Sequence, residues 1–318
     1  MRTCIAKGGP LYAGVGSRGS GVGEEAGRCA ILRPPTPETR LPYRGVIPIV
    51  IRTATRDDLP RIVKLLARAN DAPYDLDRVA EEKCFGAGVA GEPEVRVADD
   101  FAGISVTCGT YLRILAVDRA RRGRGVGSAL LREARERGRA QIVAAEAGNY
   151  FTPGIAVTDE PAIDFLVKRG YREIASTQNL VAVVESGKPG VGVVRTTPAT
   201  RERILDFIEK EFGRIWRFEA GRAFENDPPT LFYVEVDGEI AGFAAHDANN
   251  RGLGFFGPTG VARAHRGRGL GARLLHASLA DLHRLGYQSA VIPWTDAIEF
   301  YRKACGATVA ERFVTLGV

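Results

Sequence analysis

Several kinds of site are missing from this 318-residue sequence. Its five cysteines are odd in number and include no C-x-x-C pair, which argues against a disulfide framework or a cysteine zinc site and favours a reducing compartment. No apolar run reaches the roughly 18 residues that a membrane-spanning helix needs. The histidines and carboxylates show no metal-ligand spacing. We therefore expect a cytoplasmic protein with no metal and no membrane partner.

The chain contains an internal repeat. The stretch LAVDRARRGRGVGSALL, residues 115–131, recurs as GPTGVARAHRGRGLGARLL, residues 257–275, so that Gly123 corresponds to Gly267, 144 positions later. That offset is about one domain length. It is too long for a solenoid, whose unit spans roughly 20–50 residues. The sequence therefore predicts a duplicated domain.

Each copy carries a glycine-rich turn between a predicted strand and a predicted amphipathic helix. We call Arg122–Gly127 the first glycine loop and Arg266–Gly271 the second. Glycines allow successive N–H groups to point the same way, and a helix start adds unpaired amides and partial positive charge. Such a turn suits a phosphate or pyrophosphate. The pattern R-x-x-G-x-G differs from both the dinucleotide fingerprint and the P-loop, and the arginines add positive charge.

The two loops resemble the pyrophosphate loop of the GNAT N-acetyltransferase family, which binds acetyl-coenzyme A. The opening IRTATRDDLPRIVKLL, residues 51–66, is also similar to the start of a GNAT domain. The resemblance implies an α/β (α+β) fold in which each repeat is a twisted, mostly antiparallel mixed sheet flanked by helices. It implies that acetyl-coenzyme A lies in a split of the sheet as cosubstrate. The implied contacts are Val261, Arg263, Arg266, Gly267, Arg268, Gly269, Leu270, Gly271 and Ala272 in the second repeat, and Arg122, Gly123, Arg124, Gly125, Val126 and Gly127 in the first.

The two repeats differ at one chemically important position. Ala297-Ile-Glu-Phe-Tyr301 is similar to the family's A-I-x-F-Y signature, in which the tyrosine hydroxyl protonates the departing thiolate. The same register in the first repeat ends at Leu166, which carries no proton. The second repeat is therefore expected to be catalytic and the first degenerate. The family often has asparagine seven places before the tyrosine, where this chain has Trp294, so one cofactor contact is in question.

The acceptor amine must be neutral to attack a thioester, which calls for a base or a water relay. His246 has the most suitable ordinary pKa, and it is our candidate base. Other candidates are Glu235, Asp247 and Asp296. Because the sequence shows no nucleophile–base pair, we expect direct attack on acetyl-coenzyme A.

The expected organisation is a disordered tail (1–46), a first GNAT-like domain (47–185), a linker (186–192) and a second, catalytic domain (193–318). The tail has seven basic and three acidic residues, so it supplies four of the six net positive charges of the chain. A nucleic-acid partner is not expected, because the tail has little aromatic interleaving. The resemblance implies a small-molecule or peptide amine as acceptor. Two alternatives stay open: a coenzyme A-binding sensor without turnover, and a ligase-like tandem acyltransferase that makes a small thiol.

Overall fold

The computed structural model describes residues 48–69, 76–184 and 190–318. The predicted tail, residues 1–46, and residues 186–189 of the predicted linker lie outside the described residues. From Ile49 onwards the described residues form one compact unit. Within that part of the chain, no helix combines the length and the apolar character that crossing a membrane requires.

The first repeat alternates strands and helices. Its strands are β1 (Ile51–Thr53), β2 (Glu94–Ala98), β3 (Gly103–Cys108), β4 (Tyr111–Val117), β5 (Ile142–Val143), β6 (Ile155–Ala156) and β7 (Arg172–Val183). Its helices are α1 (Leu59–Ala69), α2 (Leu76–Phe85), α3 (Val126–Glu136) and α4 (Glu160–Val167). In α1, Ile62, Leu65, Leu66 and Ala69 recur at helical spacing and are all buried, which fixes that helix against the sheet.

The second repeat follows the same order. Its strands are β8 (Val193–Arg195), β9 (Leu231–Val236), β10 (Glu239–His246), β11 (Phe256–Val261), β12 (Ser289–Ile292) and β13 (Thr308–Gly317). Its helices are α5 (Arg201–Phe212), α6 (Arg214–Gly221), α7 (Leu270–Arg284) and α8 (Ile298–Cys305). Asp237 and Gly238 turn β9 into β10 with φ angles of 54° and 82°, as this dipeptide predicts for a hairpin.

The strands form two sheets. The order of the four-stranded sheet is β11-β10-β9-β8, with antiparallel neighbours throughout. The larger sheet has nine strands in the order β1-β2-β3-β4-β5-β13-β7-β12, and β6 also pairs with β13. Its pairs are antiparallel except for the parallel pair of β4 and β5. The expected mixed, mostly antiparallel architecture is therefore present.

The repeats exchange their last strands. The last strands of the two repeats, β7 and β13, pair with each other from Thr308 opposite Val181 to Gly317 opposite Arg172. As a result β13 lies between β5 and β7, and β7 lies between β13 and β12. Sequence periodicity specifies a strand but not its neighbour, so each of these strands completes a shared sheet rather than closing its own repeat. Separating the two repeats would expose both strands' backbone groups.

Candidate active site

The second glycine loop presents a row of unpaired backbone N–H groups. Gly267 and Gly269 have φ angles of 79° and 76°, and α7 begins at Leu270. The N–H groups from Gly267 to Ala272 have no backbone acceptor among the described residues, and Gly267, Arg268 and Gly269 are exposed. Left-handed backbone favours glycine at these positions. The loop can therefore bind an anionic group through its main chain.

The third glycine of each loop brings the helix close to the preceding strand. A Cβ built on Gly271 would lie 3.5 Å from the ring of Phe300 and 3.8 Å from Val261. A Cβ on Gly127 in the first repeat would likewise lie 3.4 Å from Val117 and 3.5 Å from the ring of Phe165. The two loops are thus equivalent in packing as well as in sequence.

The first arginine of each loop bonds to the main chain. In the second repeat the Nε of Arg266 donates to the carbonyl oxygen of Val261 at 3.1 Å. In the first repeat the Nε of Arg122 donates to the carbonyl of Val117 at 3.3 Å, and its Nη2 donates to that of Ala69 at 2.7 Å. These arginines hold the end of the strand. The more exposed cations at the second loop are Arg263 and Arg268.

The sheet of the second repeat splits just before β11. Phe255 bridges Val291 in parallel, and the N–H of Val291 donates to the carbonyl of Gly254 at 2.9 Å. Beyond that bridge β11 pairs only with β10 among the described strands. Gly257, two residues beyond Phe255, has a φ of 137° and open space where a Cβ would stand. The split can therefore admit an extended chain along the free edge of β11, up to the second glycine loop.

Tyr301 lies beside this split. It is buried, and its ring makes edge contacts with Phe300 at 4.9 Å and with Phe256 of β11 at 6.1 Å between centroids. Its hydroxyl forms no hydrogen bond with another residue that the structure describes. Burial raises the pKa of this hydroxyl well above its ordinary value, so it stays protonated at neutral pH. A protonated hydroxyl next to the split can donate to a leaving group.

In the first repeat the corresponding position is filled by an ion pair. Arg113, which matches Gly257 in the repeat, is 5% exposed and binds Glu146 through Nε at 2.6 Å and Nη2 at 2.9 Å. Its Nη1 also donates to the carbonyls of Lys83 and Gly86. At the position of the tyrosine, Leu166 is buried among apolar side chains. Extending the repeat alignment back to Arg113 would reveal that the first repeat has arginine where the second has glycine. Nothing in the sequence indicates that Glu146 is the partner of this arginine.

His246 lies in the core of the second repeat with no exposed surface. Its Nε2 is 2.9 Å from a carboxylate oxygen of Asp281, and its Nδ1 is 3.4 Å from Asp247. Burial alone would lower the pKa of His246, but the two carboxylates outweigh it and raise the pKa. Such a histidine connects β10 to α7.

Trp294 also has a role that the sequence did not suggest. Its backbone N–H donates to Oδ1 of Asn179 on β7 at 3.1 Å, and its ring makes an edge contact with Tyr150 of the first repeat at 5.2 Å. The loop after β5 therefore reaches the second repeat next to its split. No group of three or more His, Cys, Asp or Glu side chains within 48–69, 76–184 and 190–318 could hold a metal ion.

Comparison with known proteins agrees with this geometry. The family described as "Acetyltransferase (GNAT) family" matches residues 79–171 and again 201–307. No curated protein sequence matches the chain.

Solved structures with the same fold are distant in sequence. A tandem GNAT protein from the clavulanic acid biosynthesis pathway has a TM-score of 0.61 and 17% identity over 85% of this chain and 98% of its own. A GCN5-related N-acetyltransferase from Sphaerobacter thermophilus has a TM-score of 0.60 and 20% identity over 84% and 94%. A glucosamine N-acetyltransferase region of a fungal multi-domain β-N-acetylglucosaminidase has a TM-score of 0.71 and 18% identity. That match covers 85% of this chain but only 38% of the fungal protein. With two family matches and two glycine loops of one geometry, the chain belongs to the GNAT acetyltransferase family as a tandem-domain member.

Proposed function

We propose that this protein is an acetyl-CoA-dependent N-acetyltransferase whose catalytic centre lies in the second repeat, residues 193–318. The observation that carries the proposal is the contrast between the two splits. The second has open space at Gly257 and a protonated tyrosine, Tyr301, beside it. The first is closed by Arg113 and Glu146 and has Leu166 in place of the tyrosine.

The second glycine loop would bind the pyrophosphate of acetyl-coenzyme A. Its free N–H groups from Gly267 to Ala272 supply donors, and the exposed guanidinium groups of Arg263 and Arg268 add positive charge. The free edge of β11, ending at Val261, would pair with the amides of the pantetheine arm as a neighbouring strand does. The thioester would then lie at the start of the split, near Gly257.

The reaction would proceed by direct attack. The amine nitrogen adds to the thioester carbonyl carbon and loses a proton to a base or a water relay. The carbon–sulfur bond then breaks, and the hydroxyl of Tyr301 gives its proton to the thiolate. Protonating the leaving sulfur favours collapse toward the amide, and a positioned acid contributes typically ~10²–10⁴-fold in rate. The products are the N-acetylated acceptor and free coenzyme A.

The first repeat would have a different role. Its glycine loop keeps the same backbone, with Gly123 and Gly125 at φ angles of 74° and 85°, so residues 122–127 could still bind a diphosphate. The ion pair of Arg113 and Glu146 occupies the place where a thioester arm would enter. We propose that residues 47–185 support the second repeat and do not carry out acetyl transfer.

Thiol release from acetyl-coenzyme A in the presence of an amine panel tests the proposed function. The panel includes amino acids, polyamines and glucosamine, the last because a structural neighbour is described as a glucosamine N-acetyltransferase region. Wild-type protein should release coenzyme A with at least one amine, and Tyr301→Phe should be slower by ~10²-fold or more with a similar affinity for acetyl-coenzyme A. Tight binding of acetyl-coenzyme A without turnover by any panel member would instead favour a sensor.

A further inference from the structure

A cavity of about 630 Å³ lies between the two repeats. Its walls include residues of α2 from the first repeat, and residues of α6, of the turn after α6 and of the β10–β11 loop from the second. The volume lies within the range of about 300–1,000 Å³ that is typical of small-molecule sites. Among the described residues, the lining includes neither glycine loop and neither Gly257 nor Tyr301. The cavity is therefore separate from the place where acetyl-coenzyme A is proposed to bind.

The walls of this cavity are charged. They carry four guanidinium groups and three carboxylates. Each carboxylate pairs with one of the arginines: Glu81 with Arg56 at 2.6 Å, Glu225 with Arg251 at 2.8 Å, and Glu82 with Arg222. The fourth arginine, Arg78, belongs to the first repeat, and its guanidinium lies against the place where a Cβ on Gly252 would stand. The walls therefore hold one more positive than negative charge.

Arg222, the most buried of the four arginines, has hydrogen-bond donors left over. The residue is 8% exposed. A guanidinium has five N–H donors in a planar fork. Within the part of the chain that the structure describes, Nη1 donates to the carbonyl of Gly148 at 3.1 Å and Nη2 donates to Glu82, and the other three N–H groups have no acceptor. Because carboxylate and phosphate oxygens match this fork, the spare donors suit such an anion.

Glu82, beside Arg222, offers no comparable place for a cation. Its carboxylate accepts from Nζ of Lys83 at 2.9 Å and from Arg222. It also accepts from the backbone N–H groups of Asn250 at 3.1 Å and Arg251 at 3.2 Å. These four hydrogen bonds match the roughly four lone-pair sites of a carboxylate. The buried end of the cavity thus has spare donors but a saturated acceptor.

The outer part of the cavity can adapt to a ligand. The side chains of Arg56 and Glu81 are 64% and 59% exposed, and those of Arg251 and Glu225 are 31% and 51% exposed. Exposed ion pairs contribute little to stability. Arg251 can therefore exchange its partner Glu225 for an anion in the cavity.

The buried groups behind the cavity also tolerate an anion. Lys83 is fully buried, and burial lowers its pKa to about 7. Glu219, on α6 and three residues before Arg222, is buried as well, and burial raises its pKa to about 7. A negative charge next to Arg222 favours the protonated form of both groups. Near neutral pH each can therefore adjust its charge to the anion.

We propose that this cavity binds a small organic oxyanion, with a carboxylate or a phosphate group on the guanidinium groups of Arg222 and Arg251 and with its carbon part against Phe218. All three side chains line the cavity. The ligand would contact both repeats, because Arg56 and Arg78 reach the same space from the first repeat. The inference does not depend on acetyl transfer.

The anion would also contact the loop that leads into β11. Arg251 lies in this loop, and its N–H donates to Glu82 at 3.2 Å. The carboxylate of Asp247 closes the same loop by accepting from the N–H of Gly254 at 3.3 Å. An occupant of the cavity should therefore slow hydrogen exchange across residues 250–254.

Calorimetric titration of the full chain with succinate, glycerol phosphate and putrescine tests the inference. The two anions carry the alternative oxyanion groups, and putrescine is a small cation. We expect at least one of the anions to bind with a Kd below ~1 mM and putrescine not to bind. Saturating acetyl-coenzyme A should change the Kd of the anion by no more than about twofold, because the two sites share no residue.

Variants at the outer ion pair should act in opposite directions. Arg251→Gln should weaken binding of the anion by about tenfold, since a charged donor is lost. Glu225→Gln should strengthen it by ~2–5-fold, since the competing carboxylate is gone. Arg203→Gln breaks a similar pair, with Glu235 at 2.7 Å, outside the cavity lining; as the matched control it should leave the Kd unchanged.

Arg222→Gln should abolish binding. This substitution also removes a buried partner of Glu82, so its fold is checked by circular dichroism. Should it not fold, the opposite effects of Arg251→Gln and Glu225→Gln still test the inference, because both residues are partly exposed.

Several results would overturn the inference. One is the absence of binding by either anion at ~10 mM, and another is a Kd that neither Arg251→Gln nor Glu225→Gln alters. Competition between the anion and acetyl-coenzyme A, without slower exchange at residues 250–254, would place the anion on a glycine loop instead. Binding of putrescine that Glu225→Gln weakens would make the cavity a cation site. None of these results decides the question of acetyl transfer, which the comparison of wild type with Tyr301→Phe tests separately.

Discussion

Arg113 and Gly257 occupy equivalent positions in the two repeats, and they give the two sheet splits opposite characters. The guanidinium of Arg113 fills its split and pairs with Glu146, whereas the place of a side chain at Gly257 is open. These two equivalent positions, 144 residues apart in the chain, thus distinguish a closed split from a split that can admit a ligand. The repeat with the closed split also has Leu166 where the repeat with the open split has Tyr301.

The closed split predicts a strong stability effect. Arg113→Met should lower the free energy of unfolding by about 3–5 kcal/mol, because the carboxylate of Glu146 would be left buried without its counter-charge. Arg113→Met combined with Glu146→Leu should recover part of that loss, since both charges are then gone while the carbonyls of Lys83 and Gly86 still lack their donor. Urea unfolding at pH 7 measures the effect. Lys168→Met, which removes a partner of the exposed pair with Asp164, should change stability little. Equal losses in the single and double variants would contradict the prediction.

The second glycine loop predicts that alanine at Gly269 weakens acetyl-coenzyme A binding, an effect that can be separated from the cost of backbone strain. Gly269 and Gly286 lie at the two ends of α7 with φ angles of 76° and 92°, and neither has an atom near its missing Cβ. Alanine at either should therefore cost a similar ~1–2 kcal/mol of stability. Only Gly269→Ala should also weaken acetyl-coenzyme A binding, by about tenfold, because it disturbs the N–H groups that bind pyrophosphate. Calorimetric titration of both variants measures this, and equal Kd values would exclude the loop as the anion site.

Much of the local structure could be predicted from the sequence. The sequence at Tyr111–Val117 and Leu231–Val236 is typical of strands, and the structure has strands with those bounds. β-branched and aromatic residues between turn signals make such segments recognisable. The sequence also predicts the two glycine loops and the difference between Leu166 and Tyr301, because each depends on residue type within a short motif.

Contacts between distant segments could not be predicted in this way. Periodicity marks β7 and β13 as strands, but nothing in a single sequence states that they pair with each other. The same holds for the ion pair of Arg113 and Glu146, which are 33 residues apart, and for the hydrogen bond from Lys83 to Asn249, across 166 residues. The ordinary pKa of His246 made it a plausible base, whereas its burial depends on the tertiary structure.

The environment of His246 predicts a pH-dependent contribution to stability. Its folded pKa is raised, so its interactions with Asp247 and Asp281 stabilise the protein fully below the unfolded value, ~6.5, and that stabilisation is lost as pH rises through the folded pKa. The Tm difference between wild type and His246→Gln should therefore shrink from pH 6 to pH 9. His283→Gln, an exposed change on α7, serves as control. A constant difference across that range would contradict the charge interaction.

The exchanged strands predict that damage to one repeat spreads to the other. Val314 lies in the middle of β13, opposite Ser176 of β7 and Ile155 of β6, so it has first-repeat strands on both sides. Val314→Pro would remove a backbone donor and place a ring inside a central strand, where proline is not tolerated. Hydrogen exchange should then speed up in β6 and β7, although the substitution is more than a hundred residues further along the chain. Val318→Ala, at the exposed residue after β13, keeps the N–H that donates to the carbonyl of Gln141 and should leave those strands protected. Faster exchange confined to residues 193–318 would mean that the two repeats are stable independently of the shared sheet.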